Sequence, residues 1–317
     1  MIINIRKGSP TPADALAFTG LFNSTYLSSI DPSYYTWQIA GPQAPGSFLF
    51  MELDGKVVAS CGLRVHTCKH SEILRAGLLV DLIVVPEFRG RGLVKEFGPA
   101  IDALAKENHC DFLYATSNLK GFKSLTSRLG WVPIGSVDTY VVKNISDGLE
   151  TSLTFTLVEE FGPEFDVIQR NFELTHAGMF VNQRTRGYLA WRFSANPRYT
   201  YTVFLARESE QPYGYLVLKT YTSANGSVAG DIADIMWAED RMDHLRSMLY
   251  FSILHFASLG IHDVCTWLNT NTVLDGIARM VGFEANGQKR HLSGRPITCG
   301  LPRLDHWFLN MADSEVY

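Results

Sequence analysis

The sequence predicts an α/β fold with a mixed β-sheet, built from two similar halves of about equal length. Three observations support this prediction. Apolar runs that suit strands alternate with helical patterns of apolar residues, which favours a sheet with helices packed on its faces. Similar motifs recur in the same order after a nearly constant interval. A basic, glycine-containing turn joins a buried strand to a helix in the first half.

The internal repeat is carried by three pairs of motifs. A Tyr-x-x-Trp element that ends at Trp37 recurs with Trp191, 154 residues later. A proline follows five residues after the first tryptophan and six residues after the second. An aspartate inside an apolar run recurs as Asp81 and Asp234, 153 residues apart. A glycine followed by an aromatic residue stands at positions 130 and 282, 152 residues apart. We therefore expect a tandem duplicated fold.

The first half should contain a hairpin, a buried strand and a helix in that order. Asp54-Gly55 between two apolar runs is a hairpin turn signal, and an unbroken apolar run is typical of a strand covered on both faces. Pro99 falls inside the following helical pattern and should bend the helix or mark its start. The predicted elements are strands at Ser47–Leu53, Lys56–Leu63 and Leu78–Val85, a helix at Leu93–Ala105, a strand at Cys110–Thr116 and a helix at Phe122–Leu129.

The second half repeats this order of elements. A polar stretch at Asn144–Glu150 interrupts the apolar pattern between the halves, so we expect domains at residues 1–147 and 148–317. The predicted elements of the second half are strands at Tyr199–Ala206, Tyr213–Tyr221 and Gly230–Trp237, a helix at Met242–Ala257, a strand at Val264–Leu268 and a helix at Val273–Val281.

The composition is that of an ordinary globular protein. The formal net charge of −4 gives no general reason to attract nucleic acid or an anionic membrane. The sequence shows neither a signal peptide nor a window of roughly 20 apolar residues that could span a membrane. The 5 cysteines include no C-x-x-C pair, so we expect reduced thiols in a cytoplasmic protein, and a homodimer is compatible with these features. His66, Cys68 and His70 alternate like metal ligands, but no fourth ligand is evident and we expect no metal.

The most informative stretch is the turn Arg89-Gly90-Arg91-Gly92-Leu93-Val94. It enters a helix, where unpaired N–H groups and the helix dipole favour an anion, and its glycines let the backbone close around one. The turn matches neither the P-loop nor the dinucleotide-binding fingerprint. It resembles the acyl-CoA loop of the GNAT acetyltransferases, [RQ]-x-x-G-x-[GA], except that Val94 replaces the small last residue.

The resemblance to the GNAT family implies that acyl-CoA is the co-substrate. The amides of Arg91–Val94 and the Arg89 side chain would hold the pyrophosphate, and the backbone of residues 82–84 would pair with the pantetheine arm like an added strand. A second GNAT element follows, with Thr126 where the family often has a tyrosine that protonates the leaving thiolate. The implied CoA-binding residues are Leu82, Ile83, Val84, Arg89, Gly90, Arg91, Gly92, Leu93, Val94, Asn118 and Phe122.

The second copy of the repeat lacks this loop. The corresponding stretch, residues 237–243, contains three acidic residues and no glycine. Acidic side chains there should repel a pyrophosphate. We therefore expect a single CoA site in the first half, and a second half that shapes the acceptor site.

Among GNAT proteins, the chain resembles N-acyltransferases of bacterial surface-polysaccharide pathways. The resemblance rests on the Tyr-x-x-Trp-x5-Pro element, on Asp81 ahead of the loop and on the ending from Trp307 to Glu315. It implies transfer of an acetyl or short hydroxyacyl group, such as 3-hydroxybutanoyl, to a dTDP-linked 3-amino-3,6-dideoxyhexose for O-antigen or capsule synthesis. The alternatives are an aminoacyl transferase of the peptidoglycan-bridge type, a mycothiol-synthase-like enzyme and a non-catalytic CoA-binding regulator.

Two residues are candidates for the base that accepts the proton of the attacking amine. Asp81 precedes the expected CoA arm, and His66 lies on a neighbouring predicted strand; a structural carboxylate and a packing histidine are the alternatives. Aromatic residues could stack on a base or sugar, with core anchors as the alternative. The arginines around the second Tyr-x-x-Trp element, Arg198 among them, could pair with a diphosphate, with a solvated surface as the alternative. The candidate substrate-binding residues are Tyr34, Tyr35, Trp37, Arg184, Arg186, Trp191, Arg192 and Asp234.

Overall fold

The computed structural model describes residues 2–26, 29–43, 45–142, 152–222, 226–268 and 273–314. Both halves contain helices and strands. The first half contains β1 (Ile3–Lys7), α1 (Pro12–Thr25), α2 (Pro32–Ile39), β2 (Ser47–Leu53), β3 (Lys56–Lys69), β4 (Ile73–Val84), α3 (Leu93–Glu107), β5 (Phe112–Ser117), α4 (Leu119–Arg128) and β6 (Val132–Val142). The second half contains β7 (Thr154–Leu157), α5 (Glu164–Thr175), β8 (Phe180–Asn182), α6 (Arg186–Leu189), β9 (Tyr201–Glu208), β10 (Gln211–Thr222), β11 (Val228–Trp237), α7 (Met242–Ser258), β12 (Val264–Leu268), α8 (Val273–Val281), β13 (Glu284–Pro296) and β14 (Trp307–Phe308).

One mixed sheet runs through both halves, in the order β1-β2-β3-β4-β5-β13-β6-β12-β11-β10-β9-β7. The predicted mixed α/β class is therefore confirmed. In the middle of the sheet the two halves exchange one strand each. β13 of the second half pairs antiparallel with β5 of the first, and β6 of the first half pairs antiparallel with β12 of the second. The two exchanged strands also pair with each other. The boundary predicted at Asn144–Glu150 lies outside the described residues, and the division into two domains stays a prediction.

Local sequence signals explain where several elements begin and end. Asp54 and Gly55 have φ angles of 50° and 78°, as a tight two-residue hairpin requires, and they join β2 to β3. Pro99 lies inside α3, which begins at Leu93, so the proline does not mark its start. α4 begins earlier than the apolar pattern predicts, because the Asn118 side chain accepts a hydrogen bond from the Gly121 amide and caps the helix.

The tryptophans of the repeated motif meet where the halves join. The rings of Trp37 and Trp191 stack with their centroids 4.7 Å apart and an interplanar angle of 13°. The indole Nε1 of Trp37 donates to the backbone oxygen of Trp191 at 2.8 Å, and the reverse bond measures 2.9 Å. Both side chains are buried. The reciprocal bonds satisfy both indole N–H groups without water, so the pair serves as a packing anchor.

Three further observations concern the cysteines, metal ligands and membrane-spanning helices. Each cysteine of the chain is a free thiol. Within the described ranges, no three His, Cys, Asp or Glu side chains are grouped so that they could hold a metal ion. In the same part of the chain, no helix is long and apolar enough to cross a membrane.

Candidate active site

A cavity of about 620 Å³ opens where β4 and β5 diverge. The two strands pair in parallel only from Ala76 to Leu78 on β4, and beyond that point their carboxyl ends separate. The cavity lies in this gap and continues to the beginning of α3. It is lined by Phe22, Thr25, Tyr26, Leu79, Asp81, Leu82, Ile83, Val84, Phe88, Arg89, Gly90, Gly92, Leu93, Val94, Ala115, Thr116, Ser117, Asn118, Lys120, Gly121, Ser124, Leu125, Arg128, Arg198 and Arg290.

The basic turn forms one wall of the cavity. Gly90 and Gly92 have φ angles of 76° and 79°, a left-handed conformation that favours glycine. Gly92 is the N-cap of α3, and no side chain among the described residues caps this helix end, so the first amides of the helix are available to an anion. The Arg89 Nε donates to the backbone oxygen of Val84 at 2.9 Å, which holds the turn against the end of β4.

Two of the predicted CoA-binding residues, Arg91 and Phe122, are not among the residues that line the cavity. The guanidinium of Arg91 lies over the Phe88 ring at 5.0 Å and donates to the Glu87 backbone oxygen. The Phe122 ring packs against His291, with centroids 5.1 Å apart. The position of Phe122 on α4 turns its ring toward β13, and its contact with CoA stays a prediction. The other predicted CoA-binding residues line the cavity.

The cavity is strongly cationic in a chain of net charge −4. Of the described residues that line it, five are basic and Asp81 is the one acidic residue. Lys120 and Arg128 lie on α4 eight residues apart with Ser124 between them, a spacing that places all three on one helix face. The remaining basic residues are Arg89, Arg198 and Arg290. Such an excess of positive charge suits a ligand with several phosphates.

The sequence interpretation missed Lys120, Arg128 and Arg290 as cavity residues, and it named Arg198 only as one of the arginines around the second Tyr-x-x-Trp element. The four-residue spacing on α4 was an available signal for the first two. Arg198 and Arg290 belong to the second half, and the exchanged strand β13 carries Arg290. No local pattern near the basic turn could indicate these two residues.

Asp81 lies at the end of the cavity away from the basic turn. Its φ of 49° is left-handed, and the pairing of β3 with β4 shifts register beside it. A left-handed aspartate inside a strand is strained, and such strain clusters at functional sites. The carboxylate accepts a hydrogen bond from Gln38 Nε2 at 2.9 Å and is 7% exposed. Burial raises the pKa of Asp81 to about 6, although Arg64 and Arg198 act in the opposite direction.

His66 lies outside the cavity. Its side chain is buried, and its ring packs edge-on against Tyr188 with centroids 5.8 Å apart. Neither ring nitrogen has a hydrogen-bond partner among the described residues. Burial lowers the pKa of His66 well below its usual value, and Arg64 adds to the effect. The prediction of a catalytic role is therefore corrected: His66 is a neutral packing residue without access to the cavity.

Asp234, the repeat counterpart of Asp81, is tied into a buried polar cluster. The Arg184 guanidinium pairs with Asp234 at 2.9 Å and with Asp313 at 2.7 Å, and Tyr215 donates to Asp234 at 3.0 Å. All four side chains are almost completely buried. Arg184 and Asp234 therefore hold the second half together, which corrects the prediction that they bind substrate.

In the second half, β11 and β12 also diverge, but the chain around Asn310 occupies the gap between them. β11 and β12 pair only at Gly230 and Asp231 of β11. The Asn310 amide donates to the Ile235 backbone oxygen at 3.0 Å and also to Asp234. Residues 305 and 308–310 thus line a cavity of only about 200 Å³ at this place.

The remaining predicted acceptor residues also lie outside the main cavity. Tyr34 stacks on Trp37, and the Tyr35 hydroxyl donates to the Ser9 backbone oxygen at 3.1 Å. Arg186 is half exposed and pairs with Asp166 at 2.7 Å. The residues concerned are Tyr34, Tyr35, Trp37, Arg186, Trp191 and Arg192. Their placement corrects the prediction, because these side chains are used in packing or in pairing within the chain.

The Thr126 hydroxyl donates to the Phe122 backbone oxygen at 2.9 Å. It therefore faces its own helix and does not replace a tyrosine that would donate into the cavity. The hydroxyls of Thr116, Ser117 and Ser124 belong to residues that line the cavity. The Thr116 and Ser117 hydroxyls have no hydrogen-bond partner within the described part of the chain.

Comparisons with known proteins agree with this geometry. Residues 16–125 match the model of the Acetyltransferase (GNAT) family, a span that contains the basic turn and Asp81. No curated protein sequence matches the chain.

Several solved structures share the fold. A GCN5-related N-acetyltransferase from Anabaena variabilis is 15% identical, with a TM-score of 0.67 over 93% of this chain and 73% of that one. A probable N-acyltransferase from Enterococcus faecalis is 10% identical, with a TM-score of 0.66 over 94% of this chain and 73% of that one. Saccharomyces cerevisiae N-myristoyltransferase with bound myristoyl-CoA is 10% identical, with a TM-score of 0.65 over 93% of this chain and 79% of that one.

Proposed function

We propose that the chain transfers an acyl group from acyl-CoA to the amino group of a nucleotide-linked amino sugar. The family match and the fold support an acyl-CoA-dependent N-acyltransferase. The observation that carries the proposal is the cationic cavity between β4 and β5, which ends at an uncapped helix N-terminus on one side and at Asp81 on the other.

The residues of the cavity suit the two tasks of such an enzyme, which are to bind CoA and to accept the proton of the amine. The uncapped amides of Leu93 and Val94, with Arg89, would bind the pyrophosphate of CoA. The backbone of residues 82–84 lies where the pantetheine arm would run toward Asp81. The amine nitrogen forms a bond to the thioester carbonyl carbon, the C–S bond breaks, and CoA leaves as the thiolate. Asp81, with a pKa near 6, would accept the proton that the amine loses.

The identity of the acceptor rests on the sequence resemblance to surface-polysaccharide enzymes. On that basis the acceptor is a dTDP-linked 3-amino-3,6-dideoxyhexose, and the acyl group is acetyl or a short hydroxyacyl. Residues 1–147 would bind the donor, and residues 148–317, a second copy of the same fold without the CoA loop, would shape the acceptor site. Arg198 and Arg290 support this division of labour, because both reach the cavity from the second half.

Two measurements test the proposal. Calorimetry with CoA should show binding, and an assay of thiol release should show acetyl transfer to the nucleotide-linked amino sugar but not to peptide amines. Absence of CoA binding would refute the enzyme class. CoA binding with transfer to peptides alone would leave the class standing and refute the sugar acceptor.

A further inference from the structure

The end of the cavity near Asp81 receives a cation from the second half. Arg198 lines the cavity, and its guanidinium lies 5.2 Å from the ring centroid of Phe22 and 5.7 Å from that of Tyr34. The positive charge of Arg198 acts to lower the pKa of Asp81. The carboxylate of Asp81 and the guanidinium of Arg198 belong to residues that line the same cavity.

The backbone around Arg198 is fixed rather than free to adapt. The side chain of Asn196 is buried, and its Oδ1 accepts from the amides of Arg198 at 2.9 Å and Tyr199 at 3.2 Å. The Arg198 guanidinium also lies 4.9 Å from the Tyr199 ring centroid. Aromatic rings on several sides restrict the guanidinium, and such preorganisation strengthens the binding of a planar oxyanion.

Two buried arginines, Arg64 and Arg192, add positive charge near Asp81 and Arg198. Arg64 is buried, and its three guanidinium nitrogens have no hydrogen-bond partner among the described residues. Arg192 is buried as well and donates to the backbone oxygens of Ala312 and Ser314, which carry no full charge. Burial strengthens the field of both cations because the surroundings screen them weakly. A negative group is therefore favoured at this end of the cavity, and a positively charged amine is favoured only at Asp81.

We propose that the acceptor carries an oxyanion, a phosphate or a carboxylate, in addition to its reacting amine, and that Arg198 binds this oxyanion while the amine faces Asp81. The inference rests on the proposed function and adds a specificity residue to it. A diphosphate attached to an amino sugar and the carboxylate of an amino acid share this chemistry. The surrounding cations also disfavour the ammonium form of the amine, which must be neutral to attack the thioester.

The experiment compares matched acceptors in the thiol-release assay with acetyl-CoA. The pairs are the dTDP-linked amino sugar against its methyl glycoside, and an α-amino acid against its amide. The wild type should favour the oxyanion-bearing member of at least one pair, by roughly 10- to 150-fold in kcat/KM, the range of a hydrogen bond to a charged group. The pair that shows the preference identifies the oxyanion as phosphate or carboxylate.

Arg198→Gln should abolish that preference and leave the affinity for CoA unchanged, and Arg198→Lys should restore part of it. Arg186→Gln is the matched control, because Arg186 lies outside the cavity and pairs with Asp166. Equal rates within both pairs, or a loss of CoA affinity in Arg198→Gln, would overturn the inference while the proposed function stands. Absence of both CoA binding and acyl transfer in the wild type would instead refute the proposed function, and the inference with it.

Discussion

Replacing Asp81 by asparagine should slow the reaction and stabilise the fold. The carboxyl binds its proton more tightly in the folded chain, with a pKa of about 6 against an ordinary 3.8. The free energy of unfolding of the wild type therefore falls as the pH rises from 3.8 to about 6, and it stays lowered above that range. The difference between the two pKa values corresponds to about 3 kcal/mol. The asparagine side chain would avoid this cost and could keep the hydrogen bond from Gln38.

Urea unfolding and steady-state kinetics measure the two effects. At pH 7.5 the variant should gain up to about 3 kcal/mol in unfolding free energy, and the gain should shrink to about half near pH 5. The kcat/KM should fall about 100- to 10,000-fold with unchanged CoA affinity, and the wild-type loss of activity below about pH 6 should disappear. Asp234→Asn is the matched control: it breaks the pair with Arg184 and should destabilise the fold.

The reasoning about Asp81 can fail in two ways. If Asp81→Asn lowers stability and CoA affinity together, Asp81 orients the strand and is not the base. If turnover at pH 7.5 is unchanged in a stable variant, Asp81 takes no part in proton transfer. Positioning of the amine against the thioester would then supply most of the rate.

Three other perturbations test the remaining assignments. Gly92→Glu should abolish CoA binding in calorimetry, because it places a carboxylate at the anion site; Gly92→Ala controls for the positive φ of 79°, which alone costs about 1–2 kcal/mol. CoA should bind at one site per chain, Glu239→Gly should not change this stoichiometry, and two equivalent sites would contradict the loss of the loop in the second half. Trp191→Ala should lower the unfolding free energy in urea by about 3–5 kcal/mol, and a change confined to the acceptor KM would contradict its packing role.

Most residues predicted from local signals for the donor side line one cavity. The basic turn, the preceding strand and the start of the helix lie within a few residues of each other, so short-range patterns define them. Asp81 could be proposed from its position alone. Its left-handed backbone could not, because strain in a strand depends on the register with β3. The helical and strand patterns of the second half matched closely for the same local reason, as at Val264–Leu268.

The acceptor side was harder to predict because charge and aromatic patterns do not reveal burial. Arg184 and Arg192 resemble a basic surface in the sequence, yet both are almost fully buried in the fold. The repeat identified Trp37 and Trp191 as equivalent but did not indicate that they touch each other. Of the arginines around the second Tyr-x-x-Trp element, Arg198 alone lines the cavity, and Arg290 reaches it through long-range topology that no single-sequence pattern encodes.

The exchange of β6 and β13 bears on how the chain emerges from the ribosome. Ser117 on β5 finds its partner only when His291 has been synthesised. At about 5–20 residues per second, this edge of the nascent sheet waits on the order of ten seconds or more. An unpaired edge invites association with other chains during that time. A fragment that stops after residue 147 would keep this edge open permanently, so the first half is a poor candidate for expression by itself.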